Sequence, residues 1–355
     1  MAADSEGRET THRVTVGDAR DLDLSDESVE LVVTSPPYPM IEMWDDLFAD
    51  LAPDSAVALD AGDGEAAFDA MHDALDGVWK ELERVLVPGG IACINVGDAT
   101  RKVDGRFRVY PNHARITEAF ERRGFDPLPD VLWHKPTNSA AKFMGSGMVP
   151  PNAYVTLEHE YILVFRKGSR RSFEPGSTRR YESAFFWEER NRWFTDVWTE
   201  VRGRVQDLAE DELRDRAAAY PFEIPYRLIN MYSAYGDRVL DPFWGTGTTT
   251  LAAMVAGRDS VGYELDEDFL AHFDERVGTV PDLSETVIAD RLDAHRDFVA
   301  DCRADGDDLG YDATHYDFPV RTKQEQDIRL YAADEVSDTT SGYRVRHVPF
   351  EESRD

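Results

Sequence analysis

Cysteine is nearly missing from this chain: Cys93 and Cys302 are the only two in 355 residues. Two thiols this far apart make neither a disulfide framework nor a metal-ligand spacing, so no metal is expected and a reducing, cytoplasmic setting is. Lysine is scarce too. Only six of the 39 cationic residues are lysine, while 70 aspartates and glutamates bring the formal charge to −31. Nucleic-acid binders usually carry a basic face, so the bulk charge argues at first against one. No stretch approaches the ~20 consecutive apolar residues of a membrane span, and the opening MAADSEGRETTHR is polar rather than signal-like. Internal repeats and low-complexity tracts are also lacking.

What is present is enough apolar material, 42% with 11% aromatic, to bury a sizeable core. The preference for arginine over lysine, with acid spread along the whole chain, resembles the surfaces of halophile proteins, where salt screens self-repulsion to within a few Å. Charge therefore speaks to the solvent more than to the partner. Short β-branched runs alternate with longer helical stretches, which predicts an α/β fold on a mainly parallel sheet. Strands are expected at His12–Gly17, Val29–Thr34, Ile91–Val96, Val131–His134, Tyr161–Arg166, Val239–Asp241 and Ser260–Glu264. Helices are expected at Glu65–Leu86, Ala114–Arg123, Pro225–Ser233, Thr248–Ala256 and Glu267–Val277, with Gly89-Gly90 as a stop after the first. Residues 1–11 read as disordered, and 303–355 as a polar surface segment of opaque role.

Two loops carry chemistry. Thr34-Ser35-Pro36-Pro37-Tyr38 follows the apolar strand Val29–Val33 directly. Two prolines remove backbone donors and fix φ, leaving a rigid loop with outward carbonyls, one hydroxyl and one ring. That set suits an exocyclic amine, which needs acceptors for its N–H groups and a flat partner. Val239-Leu240-Asp241-Pro242-Phe243-Trp244-Gly245-Thr246-Gly247-Thr248 lies between a strand and a helix. Its Gly-x-Gly permits a tight turn and close ligand approach, but Thr250 stands where a dinucleotide fingerprint has its third glycine. Glu264 ends the next strand, where a carboxylate can accept hydrogen bonds from ribose hydroxyls. A nucleoside ligand without a pyrophosphate fits best. In a doubly wound sheet the two loops would converge on one crevice.

These residues resemble the amino-methylating DNA methyltransferases, which carry a [DNS]PP[YFW] catalytic loop and an FxGxG cofactor loop. Ser35-Pro36-Pro37-Tyr38 matches the first and Phe243-Trp244-Gly245-Thr246-Gly247 the second. With the catalytic loop early and the cofactor loop late, the order is similar to the circularly permuted β group. The resemblance covers roughly residues 12–280. It implies a permuted Rossmann-like fold with S-adenosyl-L-methionine as cofactor. Ser35, Pro36, Pro37 and Tyr38 would be catalytic. Asp18, Asp241, Pro242, Phe243, Gly245, Gly247, Thr248 and Glu264 would hold the cofactor, with Asp18 facing its adenine. The implied partner is double-stranded DNA, with or without a cognate restriction endonuclease.

Serine at the first loop position resembles N4-cytosine members more than most N6-adenine members, so cytosine N4 is the expected target and adenine N6 the alternative. RNA or a protein glutamine amide would suit the same Pro-Pro loop. Methylation of cytosine C5 is excluded, because it needs a nucleophilic cysteine in a Pro-Cys loop and Cys93 sits inside an apolar strand. The halophile-like composition also brings archaeal N4-cytosine enzymes acting on CTAG into the comparison.

The implied division is a catalytic half at 12–166, a target-recognition insertion at 167–220, a cofactor half at 221–290 and a C-terminal extension at 303–355. Between Arg166 and Phe194 the charge inverts, with eight cations against four glutamates and seven interleaved aromatics. Arg170, Arg171, Arg179 and Arg180 are accordingly the expected DNA contacts, for phosphates and guanine edges.

Overall fold

A computed structural model describes residues 7–135, 144–201 and 220–351. The first half runs β1 (Arg8–Val16), β2 (Val29–Thr34), α1 (Asp45–Leu51), α2 (Pro53–Asp60), α3 (Gly64–Val85), β3 (Leu86–Val96), β4 (Ala99–Val103), β5 (Arg106–Tyr110), α4 (Asn112–Arg122) and β6 (Phe125–His134). Next come β7 (Met144–Gly145), β8 (Ala153–Tyr154), β9 (His159–Lys167), α5 (Thr178–Glu182), α6 (Trp187–Trp193) and β10 (Val197–Trp198). The remainder is α7 (Glu223–Tyr232), β11 (Arg238–Asp241), α8 (Thr248–Ala256), β12 (Asp259–Glu264), α9 (Asp268–Val277) and α10 (Val280–Ala304). It ends with β13 (Tyr311–Asp312), β14 (Pro319–Val320), β15 (Tyr331–Thr339) and β16 (Gly342–Pro349).

Ten strands form one sheet in the order β10-β6-β9-β3-β2-β11-β12-β1-β16-β15. Pairing is parallel from β3 through β2, β11 and β12 to β1, and antiparallel where β9 and β16 enter. β2 and β3 read as continuous apolar runs because both faces of a parallel sheet are covered. α3 buries Phe68, Met71, Leu75, Val78, Trp79 and Leu82 against one face. α7 and α8 cover the other with Ile224, Leu228, Ile229, Ala252 and Val255. The Asp63 carboxylate caps α3 by accepting the Glu65 and Ala66 N–H groups. No helix among the described residues is long and apolar enough to cross a membrane.

The expected strands and helices all appear, several with longer bounds. Three local expectations change. The strand begins at Arg8, so residues 8–11 are ordered; they pair with Arg344–His347 of β16 rather than with any early neighbour. α3 stops at Val85, ahead of Gly89-Gly90, because Leu86 already pairs with Val29 in β3. The described part of the expected surface segment, residues 303–351, is not an appendage: β15 and β16 extend the sheet, and Val320, Ile328, Leu330 and Ala332 share a core with Phe186, Ile288 and Leu292. Polar spacing hid this segment because its anchors are buried polar groups. The Thr10 hydroxyl lies 2.8 Å from both His12 Nε2 and His347 Nε2, and His12 Nδ1 meets Ser260 Oγ at 2.9 Å. Burial pulls His12 down to about 3 and His347 to about 4, so both are neutral imidazoles near pH 7.

Candidate active site

The carboxyl ends of β2, β11, β12 and β1 meet around a cavity of about 510 Å³, within the range of small-molecule sites. It is lined from one side by Ser35, Pro36 and Pro37, and from the other by Asp18, Asp241, Pro242, Phe243, Gly245, Thr248 and Glu264. The two loops predicted from sequence therefore open into one space. Met43, Trp44, Leu47 and Leu51, from the short helical stretch after the Pro-Pro loop, close its roof, and Tyr220 enters from the far side. Trp44 both lines the cavity and packs on the core.

Gly247 does not line the cavity but shapes its floor. It starts α8 with φ 74°, and a Cβ there would lie 2.5 Å from Phe273 and 2.7 Å from Trp244. Trp244 itself is wedged against Gly262 and donates its indole N–H to Thr250 Oγ1 at 2.8 Å. This accounts for the departure from the dinucleotide fingerprint. The position that usually needs a glycine for helix–strand packing instead supplies a hydroxyl that anchors the loop's own tryptophan.

Three backbone N–H groups, from Gly245, Leu265 and Asp266, aim the Glu264 carboxylate. Asp241 is buried and accepts from Thr34 Oγ1 at 2.6 Å and from the Phe243 N–H at 3.2 Å, joining the two loops directly. Burial pushes its carboxyl up to about 6, against the pull of those donors. Asp18 follows β1 beside Glu264, with the Gly17 N–H donating to the Glu264 carbonyl at 2.8 Å. The Arg20 guanidinium pairs with Asp18 at 2.6 Å and holds its carboxyl below the ordinary carboxylate value.

Tyr38 takes a different place from the open stacking platform expected of it. It is buried, and its hydroxyl lies 3.0 Å from Ser35 Oγ and donates to Glu160 Oε2 at 3.0 Å. Asn95 Nδ2 donates to the same hydroxyl at 2.8 Å and to Glu160 at 2.7 Å, while Lys135 Nζ holds the other carboxylate oxygen at 2.7 Å. Ser35 thus stands at the end of a buried polar network. One acceptor in it, Asn95 Oδ1, is buried without a hydrogen-bond partner among the described residues. The reading from sequence missed Asn95 and Lys135. Their only signal was position, at the carboxyl ends of β3 and β6 on the rim where β2 delivers Ser35. Cys93 is fully buried within β3 and burial pushes its thiol up, consistent with the exclusion of cysteine chemistry.

The four arginines expected on DNA are not gathered here. β9 runs against its neighbours, so the chain leaves it at the amino ends of the parallel strands, where residues 169–171 pack on Gly89 at the start of β3. Arg171 makes a bidentate pair at 2.7 and 2.9 Å with fully buried Asp237, just before β11, and Arg179 joins the same carboxylate. Arg180 lies over the Phe173 ring, and Arg170 is exposed on the same side. Phe186 and Trp193 are core residues. Glu189 of α6 bonds Arg291 of α10 at 2.5 Å, Glu188 meets His295 at 3.0 Å, and Arg8 pairs with Glu182. The arginine-aromatic segment up to Phe194 is therefore cemented to the C-terminal part, facing away from the cavity. Residues 202–219 of the expected insertion lie outside the described residues.

Residues 29–275 match the sequence pattern of the DNA methylase family that methylates N6 or N4 amines. The chain is 51% identical over 326 residues to the Type II methyltransferase M.MthZI of Methanothermobacter thermautotrophicus, covering 91% of this chain and 90% of that protein. It is 51% identical over 281 residues to M.MjaI of Methanocaldococcus jannaschii, covering 76% and 92%. Among solved structures, TTHA0409 of Thermus thermophilus, described as a DNA modification methylase and complexed with S-adenosyl-L-methionine, superposes with a TM-score of 0.58. That match has 35% identity and covers 75% of this chain and 93% of the other. A shared pattern over most of the chain, with the amine loop and the cofactor loop opening into one cavity, makes this protein a member of the N6/N4 DNA methylase family.

Proposed function

We propose that this chain transfers a methyl group from S-adenosyl-L-methionine to N4 of a cytosine in double-stranded DNA, within a short specific sequence. The observation that carries the reading is the single cavity shared by Ser35-Pro36-Pro37 and the Asp241–Thr248 loop. The residues suit the cofactor: Glu264 stands where ribose hydroxyls would be accepted, Asp18 flanks an adenine position, and Asp241 with the glycine turn takes the methionine part. When bound, S-adenosyl-L-methionine supplies a sulfonium-activated methyl group. The target base must leave the duplex stack to reach Ser35. Ser35 Oγ and the Pro36 carbonyl then accept from the amine, drawing its lone pair out of conjugation and turning it toward the methyl. Asn95, Tyr38 and Glu160 fix the Ser35 hydroxyl for that task. The amine held by Ser35 and Pro36 would take the methyl that the bound cofactor supplies, the S–C bond breaking as the N–C bond forms, and would release its extra proton to solvent. Positioning of this kind can lower a barrier by roughly 7–11 kcal/mol.

Serine at position 35 favours cytosine N4, and the two archaeal relatives, both Type II methyltransferases, support a site-specific modification enzyme with or without a cognate endonuclease. The test is incubation with labelled cofactor and duplex DNA, first a CTAG-containing one, in low and in molar salt, followed by nucleoside mass spectrometry. N4-methylcytosine is expected; N6-methyladenine would overturn the assigned base, and an unmodified duplex the assigned substrate. Ser35→Ala should lower kcat about 100-fold while cofactor affinity stays within about twofold, since loss of one preorganised contact to the reacting group costs roughly 3 kcal/mol. Equal losses in both would remove Ser35 from its role.

Asp241 sets a pH dependence. The cofactor carries a cationic amino group and a sulfonium, so it binds better to the ionised carboxylate. With the carboxyl raised to about 6, cofactor affinity should climb as pH rises through that value and fall on acidification. Calorimetric titration between about pH 5 and pH 8 should show the step in the native chain and none in Asp241→Asn. A native profile that is flat would exclude Asp241 as the group responsible.

A further inference from the structure

We propose that the β4–β5 and β7–β8 hairpins form the surface on which the DNA flanking the flipped base lies. This rests on the reading of the chain as a DNA methyltransferase and adds the place of contact. Both hairpins leave the sheet at the rim that carries Ser35. β4 begins three residues after β3 ends, and β7–β8 stands between the carboxyl end of β6 and the start of β9. A ring stack joins them, Phe107 on Tyr154, with centroids 4.9 Å apart and planes within 14°.

Charge marks this rim, as it marks the 166–194 segment at the other end of the strands. In a chain of net charge −31, residues 99–110 hold Arg101, Lys102, Arg106 and Arg108 against the single Asp104. From Val131 to Leu157 there is no aspartate or glutamate at all. Arg101 is committed to Asp45 and Arg108 to Glu65, whereas Lys102 and Arg106 are exposed and form no ion pair among the described residues. The β7–β8 segment exposes Met148, Val149 and Val155 at 86%, 65% and 81%, and its Tyr154 stacks on Phe107, the residue paired with Lys102 across β4–β5. Cations for phosphates next to apolar side chains able to occupy the space of an unstacked base are what a bound, base-flipped duplex needs. At the amino ends of the strands Arg171 and Arg179 are both engaged by the one Asp237 carboxylate.

The experiment compares two double variants of equal charge change in the full chain: Lys102→Glu with Arg106→Glu on the hairpin, and Arg170→Glu with Arg180→Glu on the far side. Duplex affinity is followed by fluorescence anisotropy across a salt series, with cofactor affinity and light-scattering mass measured alongside. The hairpin variant should lose at least about tenfold in duplex affinity and flatten the salt slope by about two, as expected for two phosphate contacts. Its cofactor affinity should stay unchanged, and the far-side variant should bind duplex within about twofold of the native chain. Equal losses in both variants, or none in the hairpin variant, would overturn the proposal. So would a hairpin variant that changes mass while still binding duplex, because the surface would then join copies of the chain. A hairpin variant that binds duplex normally, in an enzyme whose native form methylates DNA, sinks the interface and spares the activity. A native chain that binds and methylates no duplex sinks the activity itself.

Discussion

Gly247→Asp should abolish measurable cofactor binding and lower the melting temperature at the same time. Position 247 has φ 74°, and any Cβ there lies 2.5 Å from the Phe273 ring and 2.7 Å from Trp244. Neither ring can retreat. Phe273 is 1% exposed and Trp244 2%, their rings meet edge to face at 4.9 Å, and Trp244 is pinned by its bond to Thr250. The backbone conformation alone costs an L side chain roughly 1–2 kcal/mol, and displacing packed rings adds roughly 1–3. Both penalties fall on the turn that must lie against the cofactor, so calorimetry should show at least a hundredfold weaker binding. Gly247→Ala carries the same Cβ without the charge and should show most of the effect. Native-like cofactor affinity in the alanine variant would mean that the turn tolerates a side chain and that its glycine is not what shapes the floor.

Arg291→Met should be the most destabilising single change far from the cavity. Arg291 and Glu189 are 9% and 3% exposed and bond at 2.5 and 2.9 Å, and Arg291 reaches the Tyr226 hydroxyl at 3.3 Å. Removing one partner strands a buried carboxylate, which costs roughly 3–5 kcal/mol. Thermal unfolding should shift down by several degrees, while kcat at a permissive temperature changes little. Pairing Arg291→Met with Glu189→Leu should recover part of the loss, because an apolar pair of similar volume avoids the desolvation of both charges, while the buried Phe186 N–H loses its Glu189 acceptor. A single variant that melts with the native protein would show that the pair contributes nothing net.

The centre of this molecule was legible in its residues because local rules and tertiary demands agree there. Apolar runs at Val29–Thr34 and Ile91–Val96 become central parallel strands, Thr248–Ala256 becomes a helix at those bounds, and the two loops meet because successive parallel strands deliver their carboxyl ends to one rim. The periphery was not legible, for a reason that residue type cannot reveal. An arginine in solution and an arginine against a buried carboxylate look alike in sequence, so Arg171 and Arg179 read as DNA contacts although Asp237 holds them. The antiparallel entry of β9 decides the matter by sending the following segment to the wrong end of the sheet. Similarly, β16 is held by a Thr10–His347 bond across 337 residues, and no window along the chain contains both. The rim at Lys102 and Arg106 was passed over because two cations are inconspicuous beside eight; what distinguishes them is that they are exposed and form no ion pair among the described residues.

The placement of β1 between β12 and β16 has a consequence for how the chain comes into being. As the ribosome makes it, this strand has no neighbour for some 250 residues: its parallel partner starts at Asp259 and its antiparallel one at Gly342. Until then it offers two unpaired edges, and the half of the cavity built by Asp18 has nothing to lean on. Contacts this distant in sequence are slow to form, and unpaired edges invite association between nascent chains. Synthesis rate and chaperone access while the segment from β12 to β16 emerges should therefore govern the yield of active enzyme more than the stability of the finished sheet does.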